Sequence, residues 1–206
     1  MEVLAAIAVM SVLTLLAWRG IDAMVRAQEG TSERSRSVMA MQSSLAQWAL
    51  DLDHAVAVGQ VPAIQWDGLS LRITRLGGAA DPGQLRVVAW SLRGPGDSAR
   101  WLRWESPPVS SRSQIMQAWE RANAWAQNAG EAERRLEIDM SPVSGWQVFF
   151  YRGESWTHPL STGGSGGADS AVPDGVRLVL RMGAGSAFAD SITRDWVNPT
   201  MGGGKS

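Results

Sequence analysis

An apolar run near the start of the chain predicts a helix that can enter a membrane. Residues 3–18 carry no charge, and Ser11 and Thr14 are the only polar interruptions. Both hydroxyls can bond to the carbonyl oxygen one helical turn earlier, so a helix in lipid tolerates them. Trp18, beside Arg19, suits an anchor at the membrane interface. The predicted membrane-facing side chains are Val3, Leu4, Ile7, Val9, Met10, Val12, Leu13, Leu15, Leu16 and Trp18.

Two other interpretations of this run stay open. Sixteen residues are slightly short for a hydrocarbon core, which takes about twenty, so a buried core helix is one alternative. A secretory signal peptide is the other. It would have a basic segment before the apolar run and a small-residue cleavage site after it. Here the acid Glu2 precedes the run and Trp-Arg-Gly-Ile-Asp follows it, so the pattern favours a membrane helix.

Helical periodicity continues beyond the apolar run and becomes amphipathic. It predicts one long helix, with an apolar segment over residues 1–30 and an amphipathic segment over residues 31–58. Steps of three and four place one apolar stripe on the second segment, which should pack against a folded head. Asp51 and Asp53 are assigned to the rest of the helix surface. The head-packing stripe comprises Val38, Met41, Leu45, Trp48 and Leu52.

After Val61 the pattern changes to short alternating runs separated by turn residues, which predicts β-strands. An amphipathic helix is expected over 112–127, with Ile115, Trp119, Ala122 and either Trp125 or Ala126 on its apolar stripe. The whole chain is therefore predicted to be α+β, with a long N-terminal helix packed on an antiparallel β-sheet in a head over 31–198. Flexible segments are expected at 161–175 and 199–206. The predicted strands lie around 69–73, 85–93, 100–105, 134–140, 145–153, 176–182 and 192–197.

The composition argues against several classes of function. The chain has 206 residues, a formal net charge of -1 and no cysteine. Disulfides and thiolate sites are excluded, and a nucleic-acid-binding surface is disfavoured because it needs a basic patch. The two histidines, His54 and His158, match neither the spacing of a metal site nor a nucleophilic triad. No catalytic, cofactor-binding or metal-binding residue is predicted, and the chain is expected to be non-enzymatic.

Eleven tryptophans are unusual for this length. Exposed rings could stack on sugars, and Trp101, Trp104 and Trp156 could form such a platform. The alternative is that tryptophans fill the core, with their ring N–H groups bonded at its edges. The second interpretation is favoured because several of them fall on apolar stripes, namely Trp48, Trp90, Trp119 and Trp146.

The opening stretch EVLAAIAVMSVLTLLAWRGIDAM, followed by an amphipathic half-helix and a β-rich head, resembles the type IV pilin-like superfamily. The chain is most similar to the J-type minor pseudopilins of the type II secretion system. That similarity rests on LLAWRGIDAMVRAQE, on SLAQWALDLDHAV in the second half-helix, on the head length, and on VRLVLRM followed by ITRDWV. Minor pilins of type IV pili share this kind of head and remain an alternative, as does a membrane-tethered carbohydrate-binding module.

The resemblance implies a pilin-like fold and an assembly role for Glu2. In the family, this carboxylate meets the N-terminal ammonium of a neighbouring subunit inside an apolar fibre core. A short basic leader is expected before the mature N-terminus, so Met1 would stand just inside it. The implied protein is a subunit of the pseudopilus tip complex that helps initiate assembly, with no cofactor. Its implied partners are I- and K-type minor pseudopilins, the H type as a further candidate, and the major pseudopilin.

The resemblance also implies a single pass through the bacterial inner membrane, with the head in the periplasm. The charge count near the membrane disagrees with that orientation. Arg19, Arg26, Arg34 and Arg36 all follow the apolar run, and the positive-inside rule alone would keep this side in the cytoplasm. A basic leader would carry the opposing charge, so the expectation remains a periplasmic head.

Overall fold

The computed structural model describes residues 2–78, 82–161, 172–184, 186–188 and 190–202, without the side chains of residues 8, 201 and 202. The chain divides into two compact units, Met1–Met39 and Ala40–Ser206. Most of the predicted flexible loop over 161–175 and the last four residues of the predicted tail lie outside the described residues.

One helix, α1, spans Glu2–Asp53, as the periodicity predicts. The predicted end at residue 58 is wrong, because the backbone beyond Asp53 pairs with a strand. Ala55 forms a β-bridge with Arg75, and the Val56 amide donates to the Thr74 carbonyl at 2.8 Å. Once these groups bond to a neighbouring strand, they cannot continue the helical ladder.

The rest of the described chain confirms the antiparallel α+β class and contains two sheets. The five-stranded sheet has the order β1-β2-β3-β4-β5, and the four-stranded sheet has the order β7-β6-β8-β9. Two further helices are α2 (Arg112–Asn128) and α3 (Glu131–Arg134). The strands are β1 (Ile64–Trp66), β2 (Ser70–Leu76), β3 (Leu85–Arg93), β4 (Arg100–Glu105), β5 (Glu137–Pro142), β6 (Gly145–Arg152), β7 (Ser155–Thr157), β8 (Gly175–Arg181) and β9 (Ser191–Val197).

The five-stranded sheet is covered on both faces. On one face, Val88 and Trp90 of β3 join a core with residues of α1 and of the four-stranded sheet. On the other face, Val87 and Ala89 join a second core beneath α2. Burial on both faces explains why β3 reads as a nearly continuous apolar run rather than as a strict alternation.

Helix α2 begins at a capping box that the sequence reading did not identify. The Ser111 hydroxyl accepts a hydrogen bond from the Gln114 amide, and the Gln114 side chain accepts one from the Ser111 amide. Two N–H groups that the first turn leaves free are thereby satisfied. The predicted apolar stripe is buried: Ile115, Trp119, Ala122 and Trp125.

The segment that follows β9 begins with one helical turn. Pro199–Gly202 form a short 3-10 helix. The Asn198 side-chain oxygen supports this turn, because it accepts hydrogen bonds from the Thr200 amide at 3.0 Å and the Thr200 hydroxyl at 2.8 Å. An Asn side chain that bonds to the backbone two residues later is a common way to start a turn.

Candidate assembly segment and anchorage of the helix in the head

The N-terminal part of α1 exposes its apolar side chains all round. The predicted membrane-facing residues are each 55–72% exposed, so no described part of the chain covers them. The helix is long and apolar enough to span a membrane. An exposed apolar surface of this size needs lipid or protein around it. The side chains concerned are Val3, Leu4, Ile7, Val9, Met10, Val12, Leu13, Leu15, Leu16 and Trp18.

The polar groups within this segment are satisfied by the helix itself. The Ser11 hydroxyl donates to the Ile7 carbonyl, and the Thr14 hydroxyl donates to the Met10 carbonyl, each at 2.8 Å. Such bonds remove the cost of placing a hydroxyl in hydrocarbon. Glu2 lies in the first turn of the helix and is exposed.

Charged residues follow the apolar segment and form ion pairs within the helix. Arg26 pairs with Asp22 one turn away, and Arg36 pairs with Glu33 at 3.2 Å. All four side chains are at least half exposed, so each pair contributes only a few tenths of a kcal/mol, about 0.3–0.5. Their position marks where α1 changes from an apolar to an amphipathic surface.

Within the head, the predicted apolar stripe of α1 contributes to the main core. Met41, Trp48 and Leu52 are buried there, and Leu45 packs against them. Val38 is half-buried. Burying a large apolar side chain contributes about 1.5–3 kcal/mol, so this stripe ties the end of α1 firmly to the sheets.

The assignment of Asp51 to the helix surface is wrong, because its side chain is fully buried. Its carboxylate accepts hydrogen bonds from the Arg103 guanidinium at 2.8 and 2.9 Å and from the Trp90 ring nitrogen at 2.9 Å. Arg75 and the Gln47 amide also donate to it. A buried carboxylate needs partners of this number and charge to offset its desolvation.

The network continues outward from Asp51 to the surface. Arg103 also pairs with Glu105 at 2.6 Å, and Glu105 pairs with Arg86 at 3.1 Å. Burial by itself would lower the pKa of Arg103, but the hydrogen bonds and charges of Asp51 and Glu105 outweigh it and raise the pKa. The guanidinium therefore stays charged, as the buried Asp51 carboxylate requires.

Two further polar contacts hold α1 to the head. The buried Ser44 hydroxyl lies 3.0 Å from the Met140 carbonyl and 3.1 Å from the Ser141 hydroxyl. At the end of the helix, the Trp196 ring nitrogen donates to Asp53 at 2.7 Å. Ser44 and Asp51 are seven residues apart and thus share one helix face. This polar line beside the apolar stripe was missed because short polar residues usually face water.

The disfavoured alternative, in which three tryptophans form a platform for sugars, is wrong. Trp101 and Trp104 are fully buried, whereas stacking on a sugar needs an exposed ring face. Trp156 is half-buried, and the Arg177 guanidinium lies 4.3 Å from its ring centre. Trp48, Trp90 and Trp119 are buried in the cores, and Trp146 packs beside them.

The ring N–H groups of the core tryptophans are satisfied in part. Trp90, Trp119 and Trp125 donate to Asp51, the Thr74 hydroxyl and Glu137, respectively. Among the described residues, however, four buried ring nitrogens lack a hydrogen-bond acceptor. The prediction that the ring N–H groups of core tryptophans are bonded is therefore wrong for these four. They belong to Trp48, Trp66, Trp101 and Trp104.

The two histidines contact different residues. The His54 ring nitrogen lies 2.8 Å from the Leu50 carbonyl, just beyond the end of α1, and the His158 ring packs edge-on against Phe149. Across the described ranges, no group of three or more histidine, cysteine, aspartate or glutamate side chains could hold a metal ion.

Comparison with known proteins does not place this chain in a family. No protein-family model matches it, and no significant match appears among curated proteins.

Proposed function

We propose that this protein is a non-enzymatic, membrane-anchored assembly subunit: a minor pseudopilin of the type II secretion system. It would wait in the bacterial inner membrane with its head in the periplasm. It would then join the tip of a pseudopilus and help to initiate assembly. Its partners would be I- and K-type minor pseudopilins, with the H type as a further candidate, and the major pseudopilin.

The observation that carries this proposal is the change of surface along one continuous helix. Residues 3–18 of α1 expose apolar side chains all round, while Met41, Trp48 and Leu52 of the same helix are buried in the head. The same apolar surface can face lipid before assembly and neighbouring helices afterwards, because both environments lack water. Transfer between them exposes little apolar surface to solvent.

Glu2 has a specific role in this proposal. A carboxylate on an apolar helix is costly in hydrocarbon, by a few kcal/mol or more. A neighbouring subunit's N-terminal ammonium would offset that cost inside the fibre. A subunit with an unpaired Glu2 is therefore less stable in lipid than in the assembled fibre, which gives assembly a direction.

The test replaces Glu2 and compares the result with a matched acid elsewhere on the same helix. Glu2→Gln should leave the protein folded and inserted in the membrane, but should reduce secretion and the cross-linking of residues 3–18 to sibling subunits. Glu29→Gln, which removes an exposed acid beyond the apolar segment, should leave both readouts unchanged. Secretion at the wild-type level with Glu2→Gln would show that the proposed role of Glu2 is wrong.

A second experiment distinguishes the secretion system from a type IV pilus. Deletion of the gene should abolish export of folded proteins if the proposal is right. Loss of surface pili with intact secretion would instead identify a minor pilin. Sibling genes for a secretion ATPase, an outer-membrane secretin and other pseudopilins, next to the gene for this chain, would agree with the first outcome.

A further inference from the structure

The outer edge of β9 is a long, regular strand edge with which no described residue pairs. β9 (Ser191–Val197) pairs with β8 over its full length without a register shift. The other edges carry features that hinder further pairing. β1 and β7 have three residues each, and β5 lies opposite an irregularity and ends in Pro142. Short edges, bulges and prolines protect sheets from adding strands.

The backbone of β9 directs alternate peptide groups toward this edge. The Met182 amide donates to the Asp190 carbonyl, and the Asn198 amide donates to the Asp174 carbonyl, both at 2.9 Å. In a regular antiparallel ladder, every second residue bonds to the same neighbour. Even-numbered residues therefore face β8, and the odd-numbered ones present N–H and C=O groups outward. These are Ser191, Thr193, Asp195 and Val197, all exposed.

The side chains along β9 define what a further strand would meet. Asp195 is neutralised by two hydrogen bonds of 2.7 Å from Arg177. Arg194 is exposed, and no described residue forms an ion pair or hydrogen bond with its guanidinium. Val197 is 71% exposed. Arg194 and Val197 are three positions apart along the strand, so the two side chains lie on opposite faces of the sheet.

We propose that the edge of β9 binds an extended, acidic segment of another protein by antiparallel strand addition. Main-chain hydrogen bonds to the odd-numbered residues would hold the segment, as in other strand-addition complexes. A carboxylate opposite Arg194, and an apolar side chain three residues away opposite Val197, would give selectivity.

In one possible pairing, a second copy of this chain would bring like charges together at this edge. Two β9 strands related by a two-fold axis through residue 194 would place Arg194 directly opposite its copy. Like charges directly opposite each other destabilise a strand pair. The proposal does not depend on the protein being a pseudopilin, because it rests on the geometry of the head alone.

Two labelled peptides of about eight residues, the ordinary length of a strand, provide the test. Both carry Val and a charged residue three positions apart in a Thr-rich sequence, with Glu in one and Lys in the other. Binding to the full chain in detergent micelles is measured by fluorescence anisotropy. The Glu peptide should bind more tightly than the Lys peptide, by up to about fivefold for the favourable cross-strand pair. Arg194→Glu should reverse this order.

Backbone variants separate strand addition from simple charge attraction. Thr193→Pro removes an outward N–H group and should abolish binding of the Glu peptide, whereas Thr193→Ala keeps that group and should bind normally. Circular dichroism checks the fold of each variant, and if Thr193→Pro does not fold, the reversal in Arg194→Glu decides. Equal binding of both peptides, no binding of either, or unchanged binding by a folded Thr193→Pro variant would overturn the proposal. A dimer of the full chain that Thr193→Pro converts to monomers would show that the occupant is a second copy.

Discussion

Replacement of the buried carboxylate at the end of α1 should cost the head much of its stability. Asp51→Asn keeps the shape of the side chain but removes its charge. It leaves Arg103 and Arg75, whose side chains are only 5% and 11% exposed, without their anionic partner. Removing one member of a buried ion pair costs about 3–5 kcal/mol, because the remaining charge is buried without compensation. An ordinary domain is stabilised by about 5–15 kcal/mol in total, so this loss would be a large part of it.

The matched control is another aspartate paired with an arginine, but at the surface. Asp139 pairs with Arg100 at 2.8 Å, and both side chains are nearly half exposed. Asp139→Asn should therefore cost about 1 kcal/mol or less. Both variants are unfolded with guanidinium in detergent micelles as full-length protein and followed by tryptophan fluorescence. The free energies of unfolding are compared if the variants share the same m-value, which is the slope of the unfolding free energy against denaturant concentration.

The reasoning fails if Asp51→Asn destabilises the protein no more than Asp139→Asn does. A double-mutant cycle with Arg103→Met adds a second check. If the pair acts as a unit, Arg103→Met should cost less in the Asp51→Asn background than in the wild type, with a coupling energy of roughly 0.5–3 kcal/mol. Additive effects would mean that Asp51 is stabilised mainly by its other donors.

Two smaller predictions follow from contacts elsewhere in the head. Ser111→Ala removes the capping hydroxyl of α2 and should lower the free energy of unfolding by about 1 kcal/mol; Ser43→Ala, at an exposed position within α1, serves as its control, and equal effects of the two would contradict the capping role. The hydrogen bonds from Arg177 lower the pKa of Asp195, so this pair stabilises the fold above the ordinary carboxyl pKa of about 3.9 and loses that contribution as the pH falls through the lowered value. The melting temperature of Asp195→Asn should thus lie below that of the wild type at neutral pH and approach it in acid, and a difference that does not change with pH would refute the assignment.

Local sequence patterns predicted the helices in which apolar residues recur at a regular spacing. The apolar run over 3–18, the stripe from Met41 to Leu52 and the stripe of α2 all follow helical periods, and a period depends only on neighbouring residues. The strands β3 and β4 were also predictable, because residues 85–93 and 100–105 are short alternating runs. The end of α1 was not, since the competing hydrogen bonds come from β2, farther along the chain.

At the candidate sites, too, some features could be identified from the sequence and others could not. The exposed helix headed by Glu2 could be identified from the sequence, because nothing but composition is needed to make a segment apolar on every side. The burial of Asp51 could not be, because its partners Arg75 and Arg103 lie 24 and 52 residues away. No local sequence pattern predicts that these two arginines will both contact one carboxylate.

The sequence by itself determined that the chain has a membrane-compatible helix, an amphipathic continuation and an antiparallel β-rich head. Only the tertiary structure decided that the described strands form two sheets, that Trp101 and Trp104 are core residues, and that no described residue pairs with the outer edge of β9. The physical reason is that secondary structure follows the alternation of neighbouring side chains. Burial, charge pairing and strand edges instead depend on which distant segments come together.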